Sequence, residues 1–462
     1  MPVASVNTTN PKSKSQAFAF IKAMGLIMSL ISVLFAVGQP QAKQRILSSA
    51  DFKFLEQLTK DVLDSARIHP GQVISTDFGP NNTGGVLVRP GGRSSYPSYW
   101  IRDYAMSLET GFVSAAEQKH MLLLTASTQC DQTWITSHGS MVPMGAIADH
   151  IRIDDGMPIY FPGTYSYHEQ GDKIFGVFPP YCDQFYFVRM AHEYVHSTGD
   201  LSILDSAING FKLVDRLEMA FKMPPTRNGK HLVYTTDELR GVDYGFRDVI
   251  MFTGDLLMPS LLKYKAALEL AVIFEKKGAQ EKVLLYKRIA DQIKKEIPSA
   301  FADGRGMLLA STGKSKQADV WSTLLAVYYE ILEGDEMIKT CTILKEAYLK
   351  GDLAKNGNIR HVLIADDYNE TTSWEKSLAR KNTYQNGAYW GTPLGWACDA
   401  IARVDLKAAK QLAKEYIDDL RKEDFRKGNG FGAPWECYND DKPQNSVYLT
   451  TVASPYIVFK NQ

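Results

Sequence analysis

About twelve stretches of this 462-residue chain carry apolar residues at three- and four-residue steps, and short and long connections alternate between them. The stretches run over about 50–67, 101–115, 117–129, 183–198, 200–222, 255–277, 280–298, 318–332, 335–350, 385–403, 406–423 and 446–458. The segment 255–277 shows the pattern. Leu257, Leu261, Tyr264, Leu268 and Ala271 make one apolar face. Pro259 lies in the first turn, where a missing N–H costs nothing, and Gly278 follows as a C-cap.

The long connections cover about 68–99, 131–182, 223–253, 299–317, 351–384 and 424–445, one after roughly every second helix. If consecutive helices pair as hairpins, all the long connections fall at one end. Six such hairpins close into an all-α (α/α)6 toroid with its long loops on one face. Helical solenoids also alternate helices, but with short, regular loops. Loops of this length are usually functional. No Ser/Gly/Pro linker interrupts residues 44–462, so one domain is expected there. The composition is that of an ordinary globular chain, 45% hydrophobic and 23% charged.

Residues 1–38 read as a signal peptide. Lys12, Lys14 and Lys22 precede an apolar stretch from about Ala23 to Val37, and Ala36-Val37-Gly38 offers small residues for a cut before Gln39. An exported protein, periplasmic or extracellular, is therefore expected, without stable membrane association after cleavage. Net charge is zero and no Lys/Arg run interleaves with aromatics, which excludes an electrostatic nucleic-acid binder. Five cysteines without a C-x-x-C pair make neither a disulfide framework nor a zinc site. No G-x-G-x-x-G, P-loop or H-E-x-x-H element is read in the chain, so no cofactor is expected. The adjacent Asp154 and Asp155 lack an EF-hand pattern, and no metal is expected either.

Five loop elements concentrate carboxylates, amides and aromatics, the side chains that meet hydroxyls and the C–H faces of sugars. The first is Tyr96-Pro-Ser-Tyr-Trp100-Ile-Arg102-Asp103, opening a helix. The second, over 141–187, holds Asp154 and Asp155 among prolines and aromatics. The third, 235–254, contains Glu238, Asp243 and Asp248. Asp248 is flanked by Phe246, Val249, Ile250 and Phe252, and apolar surroundings raise a carboxyl pKa as a general acid requires. Pairing of Asp248 with Arg247 is the alternative reading. The fourth is Tyr384-Gln385-Asn386-Gly-Ala-Tyr-Trp390-Gly-Thr-Pro393-Leu-Gly-Trp396, with amides for hydroxyls and an indole for a stacking floor. The fifth places Glu436 between Trp435 and Cys437 in an aromatic loop.

Trp100-Ile101-Arg102-Asp103 resembles the aromatic-x-Arg-Asp element of the glucoamylase-like six-hairpin glycosidases. There the Arg and Asp bind the sugar at the cleavage subsite. Asn386-Gly-Ala-Tyr-Trp390 is similar to an Asn-Gly-x-x-Trp element found at the eleventh helix of that superfamily. The resemblance implies a general acid from the loop between the fifth and sixth helices and a general base from the loop before the twelfth. It thus implies Asp248 as acid, with Glu238 and Asp243 as alternates, and Glu436 as base. Trp100, Arg102, Asp103, Asp154, Asp155, Gln385, Asn386, Trp390 and Trp435 are the candidate substrate-binding residues. The implied function is inverting, exo-acting hydrolysis of an oligo- or polysaccharide, the carboxyls standing roughly 6.5–9.5 Å apart to admit a water. Two other readings stay open: a polysaccharide lyase or unsaturated-uronyl hydrolase on the same fold, and a non-catalytic glycan-binding protein.

Overall fold

The computed structural model describes residues 1–2, 4, 45–93, 95–171, 175–242, 245–366, 372–440 and 442–462. The signal-peptide reading lies outside the described residues, as does Asp243. Residues Ile46–Asn461 form one compact unit.

Twelve α-helices occur among the described residues. They are α1 (Ser49–Ala66), α2 (Ile101–Ala105), α3 (Ala115–Ser127), α4 (Cys182–Thr198), α5 (Leu213–Lys222), α6 (Leu257–Lys276), α7 (Gln280–Ala300), α8 (Val320–Tyr328), α9 (Gly334–Lys350), α10 (Leu394–Ala402), α11 (Leu406–Lys422) and α12 (Leu449–Lys460). The even-numbered helices pack on one another in succession, α2 on α4, α4 on α6, α6 on α8, α8 on α10 and α10 on α12. The circuit closes where α12 meets the 3-10 turn Leu108–Thr110 that comes after α2. The odd-numbered helices pack outside this ring, α1 on α12, α3 and α5 on α4, α7 on α6, and α9 and α11 on α10.

Side-chain pattern decides which ring a helix joins. In α12 every residue from Leu449 to Phe459 is buried, as expected of a helix walled on all sides. In α11 the buried set is Ala408, Ala409, Leu412, Ala413, Tyr416, Ile417 and Leu420, a single stripe, with Lys and Asp on the other face. Full burial of one such Leu contributes about 1.5–3 kcal/mol. A charge at Leu412 would therefore strip α11 from the ring.

Two expectations need correcting. The chain is mainly helical but not all-α, because short strands lace the long loops together in seven small sheets among the described residues. Expected helices shrink where loop chemistry intrudes. Residues 101–115 break after Ala105, 200–222 is helical only over Leu213–Lys222, and 385–403 only over Leu394–Ala402. In the last case residues 385–393 belong to turns and the strand Tyr389–Trp390. Periodicity over so short a window does not separate a buried strand from a helix. All five cysteines are buried, and no disulfide joins them.

Two sheets carry residues of the candidate site. One pairs Ser98–Trp100 with His150–Arg152, and that strand with Pro158–Ile159. The other has five antiparallel strands in the order Ala354–Lys355, Asn358–Arg360, Tyr389–Trp390, Trp435–Asn439, Lys442–Ser446. No described helix is long and apolar enough to cross a membrane.

Candidate active site

Every inner helix is entered from a long loop, so the loops and the N-termini of the inner helices meet at one end of the ring. Asp103 lies in the first turn of α2 and Asp319 caps α8, where the positive end of the helix dipole favours a carboxylate. Tyr448, the N-cap of α12, donates its hydroxyl to Asp103 Oδ1 at 2.7 Å and so ties the two ends of the chain together.

Asp248 lies beside this point. Its Oδ1 accepts from Arg102 Nη2 at 2.9 Å, and its Oδ2 from the Tyr384 hydroxyl at 2.7 Å and Gln385 Nε2 at 3.1 Å. Gln385 Oε1 in turn accepts from the Val249 amide at 3.1 Å, fixing the amide that holds Asp248. Arg247 turns the other way, into a fully buried pair with both oxygens of Asp319 at 2.6 Å. Asp248 is thus paired with Arg102 and not with its neighbour. Arg102 rests over the Phe246 ring at 4.8 Å.

Glu436 enters from the five-stranded sheet. Pairing of Trp435 with Ser446 and Cys437 with Gln444 sets Asn445 across from Glu436. The Asn445 amide donates to Glu436 Oε2, and the Tyr96 hydroxyl donates to the same oxygen at 2.8 Å. Burial pushes the Glu436 carboxyl from its ordinary 4.5 to about 8; the Asn445 and Tyr96 hydrogen bonds oppose the rise, and the negative charges of Asp103 and Asp248 add to it. Burial likewise raises Asp103 to about 6, against the pull of Arg102 and Tyr448. Asp103 and Asp248 both approach the Arg102 guanidinium, and Glu436 feels the charge of both carboxylates. Asp248, its side chain 19% exposed, is the one most open to water; Asp103 is at 2% and Glu436 at 1%.

The backbone around them is held in an uncommon conformation. Tyr96, Phe246, Tyr384, Asn445 and Val447 all have positive φ, between 43° and 59°. For bulky or β-branched residues this region is rarely occupied and costs on the order of 1–3 kcal/mol each. Such outliers gather where surrounding contacts over-determine the geometry, and each of these five directly contacts or immediately flanks a residue of the carboxylate cluster.

Of the candidates named from sequence, Arg102, Asp103, Asp248, Gln385 and Glu436 converge. Trp100 borders them: its register partner His150 stacks on it at 4.4 Å, and Tyr96 meets it edge-on at 5.0 Å. Trp390 is wholly buried beneath the cluster, edge-on to Phe246, so it is no stacking floor. Asn386 accepts from the Ser373 amide at 2.8 Å and donates to the Ala379 carbonyl at 2.9 Å, which makes it an internal clamp of its loop. Asp154 and Asp155 pair with Arg152 of their own hairpin at 2.7 and 3.3 Å. Glu238 is exposed, its carboxyl held below the usual range by Thr236. Trp435 faces a different cavity from its neighbour Glu436.

Sequence reasoning missed Tyr448 and Asn445, and did not single out Tyr96 or Tyr384 within their motifs. Their roles depend on hydrogen bonds between loops more than a hundred residues apart or across one hairpin. It also took an H-E-x-x-H element to be absent, which is wrong: His192-Glu193-Tyr194-Val195-His196 on α4 has that spacing. Those two rings lie parallel with centroids 6.0 Å apart, and His192 Nδ1 bonds Glu193 Oε1 at 2.9 Å. Among the described residues no three His, Cys, Asp or Glu side chains are grouped to hold a metal ion.

No protein-family model and no curated protein sequence matches the chain. Solved structures do. The chain superposes on a family GH78 rhamnosidase of Bacillus sp. GL1 with a TM-score of 0.50 and 11% identity, over 89% of this chain and 34% of that one. It superposes on the rhamnosidase from Klebsiella oxytoca with rhamnose bound with a TM-score of 0.51 and 12% identity, over 92% and 65%. A wild-type glycosidase gives 0.50 and 10%, over 90% and 98%. The chain spans about a third of the first structure and just under two thirds of the second. At these identities the likeness is one of fold, consistent with the α/α toroid seen here.

Proposed function

We propose that the protein is a glycoside hydrolase of the six-hairpin superfamily, glucoamylase-like in its Arg102-Asp103 element, that cleaves a terminal sugar with inversion. The observation that carries this reading is the convergence of Asp103 and Asp248 on Arg102, with Glu436 close enough to feel both carboxylates, at the loop end of the ring. A carboxyl that keeps its proton at neutral pH beside one that accepts a guanidinium is the asymmetry an acid/base pair needs. That asymmetry reverses the roles implied by resemblance. Glu436 is the general acid, protonating the glycosidic oxygen. Asp248, paired with Arg102 and open to water, is the base that takes a proton from the attacking water. Asp103 and Arg102 orient the sugar, Tyr384 and Gln385 orient Asp248, and Trp100 supplies a ring at the rim. The rhamnose held by one structural neighbour makes terminal rhamnosides the first substrates to try.

The test is a screen of the purified chain against aryl α- and β-glycosides, rhamnosides included, with product anomers monitored by NMR. The expected result is release of a sugar with inverted configuration. Role reversal is read from leaving groups. Glu436→Gln should keep turnover on dinitrophenyl glycosides, which need no protonation, and lose it on natural oligosaccharides. Asp248→Asn should lose both. The opposite pattern returns the acid role to Asp248. Silence on every neutral glycoside, with unsaturated product appearing from uronate polymers, would replace hydrolysis by elimination.

A further inference from the structure

The strand that delivers Glu436 to the carboxylate cluster presents a second chemistry nearby. Trp435, Tyr389, Tyr438 and Pro443 line a cavity of about 330 Å³ together with Asp419 and Asn356. Tyr389 and Tyr438 are register partners in the five-stranded sheet, so their side chains leave the same face. Gly432 makes room for the indole of Trp435: a Cβ there would stand 2.0 Å from the ring. Asp419, on α11, is held from one side only. Its Oδ2 accepts from the Tyr438 hydroxyl at 2.9 Å and Asn358 Nδ2 at 3.2 Å, while Oδ1 has no donor among the described residues. A carboxylate fixed by two donors, with its second oxygen open on the wall of an aromatic cavity, is an acceptor prepared for a hydroxyl. Asn356, whose φ of +49° marks the tip of the hairpin before it, adds an amide to the same wall.

We propose that this cavity is a second carbohydrate site, distinct from the carboxylate cluster, which binds a neutral saccharide unit without cleaving it. Rings of Trp435, Tyr389 and Tyr438 take the C–H face of a pyranose, and Asp419 Oδ1 accepts from its hydroxyls. The ligand class comes from this mixed lining: Lys355 and Lys422 on the same wall offset Asp419 and Glu423, so the cavity favours neither sign of ion, and a lipid would leave the Asp419 oxygen unpaired. Its occupant need not be the sugar that is hydrolysed.

The test is calorimetric titration of the full-length Glu436→Gln protein, which cannot turn over, with maltoheptaose, cellohexaose and a rhamnose-terminated oligosaccharide. At least one should bind, and adding Asp419→Asn or Trp435→Leu should weaken that binding tenfold or more, whereas adding Asp248→Asn should leave it unchanged. Thermal melts matching the parent show that the variants are folded, and Asp419→Asn, which keeps size and shape, stands in if Trp435→Leu is not. Binding that responds only to Asp248→Asn overturns the second site and leaves the hydrolase reading intact. Binding that responds to Asp419→Asn in a protein whose wild type hydrolyses nothing sustains the site and removes the hydrolase. A folded protein that binds none of the three overturns the proposal.

Discussion

The two ends of the inner ring both bury charge, but they do so differently. Toward the C-terminal ends of the inner helices, Arg189 meets Glu269 at 3.2 Å, Glu109 at 3.5 Å and the Tyr329 hydroxyl at 3.1 Å, with Lys265 4.0 Å from Glu269. Two cations face two carboxylates. At the loop end Arg247 is committed to Asp319, Arg102 alone meets both Asp103 and Asp248, with Glu436 beside them, and five residues are held at positive φ. Only Glu330 has a positive φ among the described residues lining the far cavity, which is about 320 Å³. Balanced charge on relaxed backbone is how a fold closes its core. Like charge on strained backbone works against stability and persists where chemistry needs it.

If the contrast is right, removing charge at the two ends should have opposite consequences. The largest effect is on rate. Glu436→Gln or Asp248→Asn should lower turnover of natural oligosaccharides by about 10²–10⁴-fold, measured as kcat/KM, with the fold intact. At the far end Arg189→Met should leave the chemistry alone and lower stability by about 3–5 kcal/mol in denaturant melts, because Glu269 stays buried without its cation. The paired Arg189→Met/Glu269→Met change should recover most of that loss. A Glu436→Gln protein as unstable as Arg189→Met would break the comparison.

The third effect is a slope. Folding lifts the Glu436 carboxyl from 4.5 to about 8, so between those values the native state holds a proton that the unfolded chain does not. Stability must therefore fall as pH rises through that window, on the order of a few kcal/mol in all. Asp103 adds to the fall between its ordinary 3.8 and about 6. Thermal melts taken across that window should show the decline, and Glu436→Gln should flatten it.

The smallest effect sharpens the acid assignment. The Tyr96 hydroxyl pulls the Glu436 carboxyl downward by donating to it. Tyr96→Phe should thus move the alkaline limb of the kcat/KM profile upward in pH, at a stability cost of about 1 kcal/mol. A downward move would mean that the limb belongs to another group.

Much of this architecture was legible in the chain. Three- and four-residue periodicity located all twelve helices, and alternating loop lengths set the long connections at one end. Arg102, Asp103, Asp248, Gln385 and Glu436 were legible too, because carboxylates and amides stand out in aromatic loops. What stayed hidden was direction and depth. Trp390 and Asn386 look like sugar ligands in sequence, yet both are spent on packing. Asp154 and Asp155 look like a binding pair and are neutralised by Arg152 two and three residues away. Trp435 and Glu436 are neighbours that serve different cavities. Periodicity and residue type are local, and one sequence suffices to read them. Which oxygen meets which donor, and whether a carboxyl keeps its proton, depends on contacts such as Tyr96 to Glu436 and Tyr448 to Asp103, each spanning more than 300 residues. Only closure of the ring creates those contacts, because burial and like-charge crowding act through space and leave no local mark in the chain.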